Sequence, residues 1–136
     1  MTVLLFGETT SPSAILIPSD HFVDGIEFYS PQNFPQQLGA MTRPKGYVVK
    51  AHIHNIINRN ISQTQEVLIL RSGHLRVRLF DSNLIENSSF EMRSGDVLLL
   101  ASGGHEITML EESVLVEVKQ GPYLGVDDKT HFEVKS

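Results

Sequence analysis

From Gln37 to Gln120 the chain is a succession of short runs rich in Val, Leu and Ile, interrupted by Gly, Asn, Asp and Ser at spacings of about ten residues. No run carries a helical period, so the pattern restricts the chain to an all-β sandwich or barrel. The clearest strand is residues 74–81, where Leu75, Val77 and Leu79 alternate with Arg76 and Arg78 and predict one buried face and one basic outer face. Further strands are predicted at 47–54, 66–71, 97–100, 106–110 and 114–119. Ser72-Gly73, Ser94-Gly95-Asp96 and Glu111-Glu112-Ser113 read as turns, and residues 82–88 as a polar loop. The stretch 37–45 is ambiguous. Pro12, Pro18, Pro31 and Pro35 divide the first 35 residues into pieces, among which 14–17 and 26–29 suit short strands. At 136 residues the chain is expected to be a single domain: an N-terminal arm (1–36), a barrel (37–120) and a polar C-terminal tail (121–136) wrapped around the outside.

Composition removes several functions. The net charge is −5 and the eleven basic residues are scattered, which argues against a general nucleic-acid binder. There is no cysteine, so disulfides, thiol catalysis and thiolate metal sites are excluded, and any metal must sit on nitrogen and oxygen. No apolar stretch approaches the roughly 18 residues of a membrane span. Residues 3–6 lack a basic lead and are cut off by Gly7-Glu8, so they do not read as a signal peptide, and a cytoplasmic location is expected.

Three places carry candidate chemistry. On a strand, His52 and His54 would face the same way about 6.6–6.8 Å apart, close enough to converge on one ion. Glu66 heads a run, Val67 to Leu70, that is apolar on both faces. A carboxylate there is costly to bury unless it is paired or coordinates a metal. His105 follows Gly103-Gly104 and shares its face with Ile107 and Met109.

Together these residues resemble the cupin superfamily. Its first motif is Gly, five residues, His-x-His, a short gap, Glu, six residues, Gly; here it is Gly46, His52-Ile53-His54, Glu66 and Gly73. Its second is Gly, five residues, Pro-x-Gly, two residues, His, which Gly95, Ala101-Ser102-Gly103 and His105 follow approximately. The chain departs from the pattern in three ways. Eleven residues separate His54 from Glu66 where three or four are usual, Ala101 replaces the proline, and only Gly104 separates Gly103 from His105. The resemblance implies a single-domain double-stranded β-helix, a jelly-roll barrel. It implies His52, His54, Glu66 and His105 as ligands of one divalent metal ion, which that donor set allows to be Fe, Mn, Ni, Co or Zn. It also implies Gly73 and Gly95 in hairpin turns.

Lys50 shares the face of His52 and, with Arg43 and Arg59, is a candidate for holding a substrate. Residues 55–65 form an insertion at the expected barrel mouth, suited to a lid, a subunit contact or a plain loop. The expected function is that of a metal-binding cupin, an isomerase or oxygenase acting on a small polar substrate such as a sugar derivative or keto acid. The alternatives are a non-catalytic module sensing a small molecule or metal, and a metal-free, sugar epimerase-like cupin with histidine as base. Val3, Leu4, Leu5, Phe6 and residues 15–17 would form an exposed apolar strip if the arm trailed in water, so a homodimer is expected, with folding of the arm back on its own barrel as the alternative.

Overall fold

The computed structural model describes residues 1–134; Lys135 and Ser136 of the tail lie outside the described residues. The strands are β1 (Leu4–Glu8), β2 (Ser11–Ile17), β3 (Gly25–Phe28), β4 (Gly39–Thr42), β5 (Glu66–Ser72), β6 (His74–Phe80), β7 (Glu86–Arg93), β8 (Val97–Leu100), β9 (Gly104–Met109) and β10 (Val114–Lys119), followed by one 3-10 turn, Gly125–Asp127. They form a five-stranded sheet in the order β1-β2-β8-β5-β10, a three-stranded sheet β7-β6-β9, and the separate hairpin β3-β4, with every pairing antiparallel. The expected all-β class is met.

Period-two alternation builds the core. Leu16, Leu98 and Leu68 lie side by side across β2, β8 and β5, and they face Leu75, Val77, Leu79 and Met92 of the smaller sheet. Each fully buried Leu is worth about 1.5–3 kcal/mol in transfer from water. The opposite face of β2 and β8 is apolar too, and Ile15 and Leu99 are fully buried on it.

The turns follow their residues. Gly73 has a φ of 111°, and a Cβ there would lie 2.7 Å from the Glu112 carbonyl oxygen, so only glycine fits between β5 and β6. Asp96 is nearly buried, and its carboxylate accepts hydrogen bonds from the backbone N–H of Ser19 (2.8 Å) and of Arg93 (2.9 Å). It thereby pins the chain after β2 to the turn before β8.

The two sides of the sandwich differ. On one, Phe6 of β1 and Phe90 of β7 stack at 4.2 Å between ring centres and join the sheets. On the other, β10 ends the larger sheet and β9 the smaller, and neither edge has a further strand partner among the described residues.

Several expectations are corrected. Residues 47–54 are not a strand: 43–65 hold no strand, and 41–64 are exposed throughout. A strand needs an edge to pair with, and this segment's backbone bonds are local: the Tyr47 N–H donates to Pro44 O and the His52 ring to Lys50 O. Residues 82–88 are only partly a loop, since β7 begins at Glu86. The ambiguous stretch supplies β4, and the first residues supply β1. β9 starts two residues earlier than expected, which brings His105 inside a strand.

Candidate functional site

Glu66 opens β5 on the inward face, in register with Leu100 on one side and Lys119 on the other. His105 lies in β9 opposite Leu79, on the face shared with Ile107. The two come from different sheets, and His105 Nε2 stands 3.0 Å from Glu66 Oε1. The Glu66 carboxyl is held below the usual carboxylate range, first by its contact with His105, against a burial that pushes it up; the charges of His105, Lys119 and Lys129 add to the lowering. Lys119 Nζ donates to Asp128 Oδ2 at 2.8 Å, which raises the lysine's affinity for its proton and fastens the tail across the end of β10.

These groups border a cavity of about 260 Å³ between the sheets, lined among others by Glu66, Leu100, His105, Ile107, Glu117 and Lys119. A larger hollow of about 760 Å³ lies elsewhere, between residues 32–37 and 59–63. Among the described residues that line it, Arg59 is the one charged side chain.

His52 and His54 are still neighbours, with ring centres 5.3 Å apart and planes at 73°. The Lys50 carbonyl, 2.7 Å from His52 Nδ1, can only accept, so Nδ1 donates in this contact. Both histidines belong to the exposed segment. Lys50 belongs to it too, Arg43 lies over the Tyr47 ring at 4.5 Å, and Arg59 lines the larger hollow; none of the three borders the Glu66 cavity. A metal centre held by protein needs at least three ligands. Among the described residues, no group of three His, Asp or Glu side chains converges. In the chain as folded the four candidate ligands lie in two halves, Glu66 with His105 and His52 with His54.

Sequence reasoning passed over Lys119, Asp128 and Lys129. The signal for Lys119 was present: Leu115, Glu117 and Lys119 share one face of β10, and Leu115 packs on the core, so two charges were due to point inward. The tail residues carried no such periodicity.

No protein-family model, curated protein or solved structure matches this chain. Fold and cavity define an all-β protein with a charged pocket between two antiparallel sheets. No helix among the described residues is long and apolar enough to cross a membrane.

Proposed function

We propose that the chain is a cupin-like protein binding one divalent metal ion on His52, His54, Glu66 and His105, and that it acts on a small polar molecule held in the cavity between the sheets. The observation that carries this reading is the meeting of Glu66 and His105 at 3.0 Å. Two residues singled out by motif spacing alone come from separate sheets to one cavity wall. When bound, the ion supplies Lewis acidity toward a carbonyl or hydroxyl oxygen. The protein's own part is to hold the substrate: Lys119 and Lys129 offer positive charge and Glu117 an acceptor at the cavity rim.

The test is Co(II) uptake by purified protein, with mass spectrometry of small molecules that co-purify. The expected result is about one ion per chain, lost in the His52→Ala/His54→Ala variant without change in the circular dichroism of the sheets. A wild-type protein that takes up no Co(II), Zn(II) or Mn(II) at neutral pH would refute the metal site.

The same Glu66–His105 contact favours a second reading without metal. A carboxylate beside an imidazole orients it and stabilises the imidazolium, which equips His105 to take a proton from a substrate carbon, as in a sugar epimerase-like cupin. Full turnover in protein stripped by chelator separates this reading from the first.

A further inference from the structure

The larger hollow, about 760 Å³ between residues 32–37 and 59–63, shares no lining residue with the Glu66 cavity. Its volume falls in the range of small-molecule sites, roughly 300–1,000 Å³. Such sites are mostly apolar, but this one is lined by amides and a hydroxyl, from Gln32, Asn33, Asn60, Ser62 and Gln63. No Asp or Glu is among the lining residues, and Arg59 is the one cation.

One wall is built by its own hydrogen bonds. The Phe34 N–H donates to Pro31 O at 3.0 Å and closes a turn. Within that turn Gln37 Nε2 donates to Phe34 O at 2.8 Å and to Pro31 O at 2.9 Å, while its Oε1 accepts from Ser30 Oγ at 3.0 Å. The Gln37 amide is therefore spent on holding the loop. The Gln36 N–H donates at 3.3 Å to Oε1 of Gln65, which is fully buried between the second wall and β5. The two walls thus meet at a fixed point, where Gln65 Nε2 and Gln36 Oε1 are buried without a hydrogen-bond partner.

The side chains that line the hollow are uncommitted by contrast. Among the described residues, Gln32, Asn33, Asn60, Ser62 and Gln63 make no side-chain hydrogen bond within the chain. Arg59 forms no ion pair there either. An amide offers two N–H donors and a carbonyl acceptor, which suits hydroxyls, each of them both donor and acceptor. Phe34, half-buried in the same lining, adds a flat apolar wall for a face of C–H bonds. A single guanidinium calls for one negative charge, and its planar fork fits a carboxylate through two parallel bonds. A phosphate monoester carries up to about two charges, so part of its charge would go uncompensated.

We propose that this hollow binds an acidic sugar, a uronate whose carboxylate pairs with Arg59 and whose hydroxyls bond the amides of Gln32, Asn33, Asn60 and Gln63. The site is independent of the metal reading above and stands whether or not Glu66 and His105 hold an ion. Gln37 is a positioning residue, fixing the loop that carries Gln32, Asn33 and Phe34.

Titration of the full chain with galacturonate and with glucuronate, followed by amide-resolved NMR, tests it. Saturable shifts at millimolar sugar are expected at residues 32–37 and 59–63. Glucose, which keeps the hydroxyls without the charge, and acetate, which keeps the charge without the hydroxyls, should each bind roughly tenfold more weakly or worse. Arg59→Gln changes an exposed residue and should weaken uronate binding by roughly tenfold or more. Phe34→Leu should weaken it several-fold while leaving the preference for the charged sugar intact. The absence of saturable shifts with either uronate would overturn the proposal. So would shifts centred on Glu66, His105 and Lys119, affinity indifferent to Arg59→Gln, or a hexose phosphate bound more tightly than the uronates.

Discussion

The two long sides of the sandwich use similar residues to different ends. On the β1/β7 side, Phe6 and Phe90 stack across the gap and both pack on the core. On the β9/β10 side the larger sheet ends in a strand whose outer valines are exposed, and the gap holds Glu66, His105, Glu117 and Lys119 in place of aromatic rings. One edge is joined by shape and the other is lined with charge. The contrast extends to the connections. Residues 66–70 and 47–53 are both rich in Val, Leu or Ile, but the first run lies between β8 and β10 while the second has no neighbour. What separates a core strand from an exposed segment here is the presence of a partner edge.

The comparison is sharpest at apolar residues. Leu68→Ala should lower unfolding free energy by about 2–5 kcal/mol, since Leu68 is fully buried between the sheets. Ile56→Ala should change it by less than about 0.5 kcal/mol, since Ile56 is fully exposed. Urea unfolding followed by circular dichroism measures both, and comparable losses would mean that 41–64 pack on the body in solution.

Two glycines with positive φ make the next contrast. Gly73→Ala places a Cβ against Ser113 and the Glu112 carbonyl, and should cost about 2–4 kcal/mol. Gly46→Ala meets nothing within 4 Å and bears only the backbone penalty of its φ of 89°, about 1 kcal/mol. Thermal melts rank the two, and a Gly46 variant as damaged as the Gly73 one would place residue 46 in a packed turn.

Smaller still are changes at the two sides themselves. Phe90→Leu removes the stack on Phe6 and should cost about 1 kcal/mol of stability with no change in sedimentation. Val116→Thr, on the exposed outer face of β10, should change stability by less than about 0.5 kcal/mol. A Val116 variant as destabilised as the Phe90 one would show that the outer face of β10 is packed in solution.

The smallest effect concerns pH. Arg78 donates to Glu86 at 3.0 and 3.2 Å and to Glu106 at 3.1 Å, and this holds the Glu86 carboxyl below its ordinary range. A carboxyl lowered on folding lends stability that is complete above its unfolded pKa and fades as the pH falls through its folded one. Glu86→Gln should therefore flatten the acid side of the stability profile slightly while leaving the alkaline side unchanged, and added salt should shrink the difference. A steeper acid limb in the variant would reverse the assignment.

The sequence was legible where alternation met burial. Leu75, Val77 and Leu79 announced β6, and the glycines at 73 and 95 announced turns in which both have positive φ. β7 was hidden because Glu86 to Ser89 are polar and its fully buried residue is Met92, the mark of an edge strand. Residues 47–54 failed in the opposite sense: their period of two was real, but pairing is a property of the neighbour as well as of the strand. At the site, motif spacing was enough to bring Glu66 and His105 together, because each sits on a strand fixed by core residues. Spacing alone could not fix the position of His52 and His54, which hang on a segment that the core does not hold.

The pairing of β2 with β8 has a consequence for how the chain comes off the ribosome. Ile15 and Leu99 are partners, as are Leu16 and Leu98, so the hairpin made first must wait for a strand made near the end. Until then Leu4, Leu5 and Ile15 to Ile17 leave the exit tunnel as an apolar ribbon with no acceptor. Contacts so distant in sequence make folding slow. During synthesis β1 and β2 therefore stay without their place in the sheet until β8 has been made.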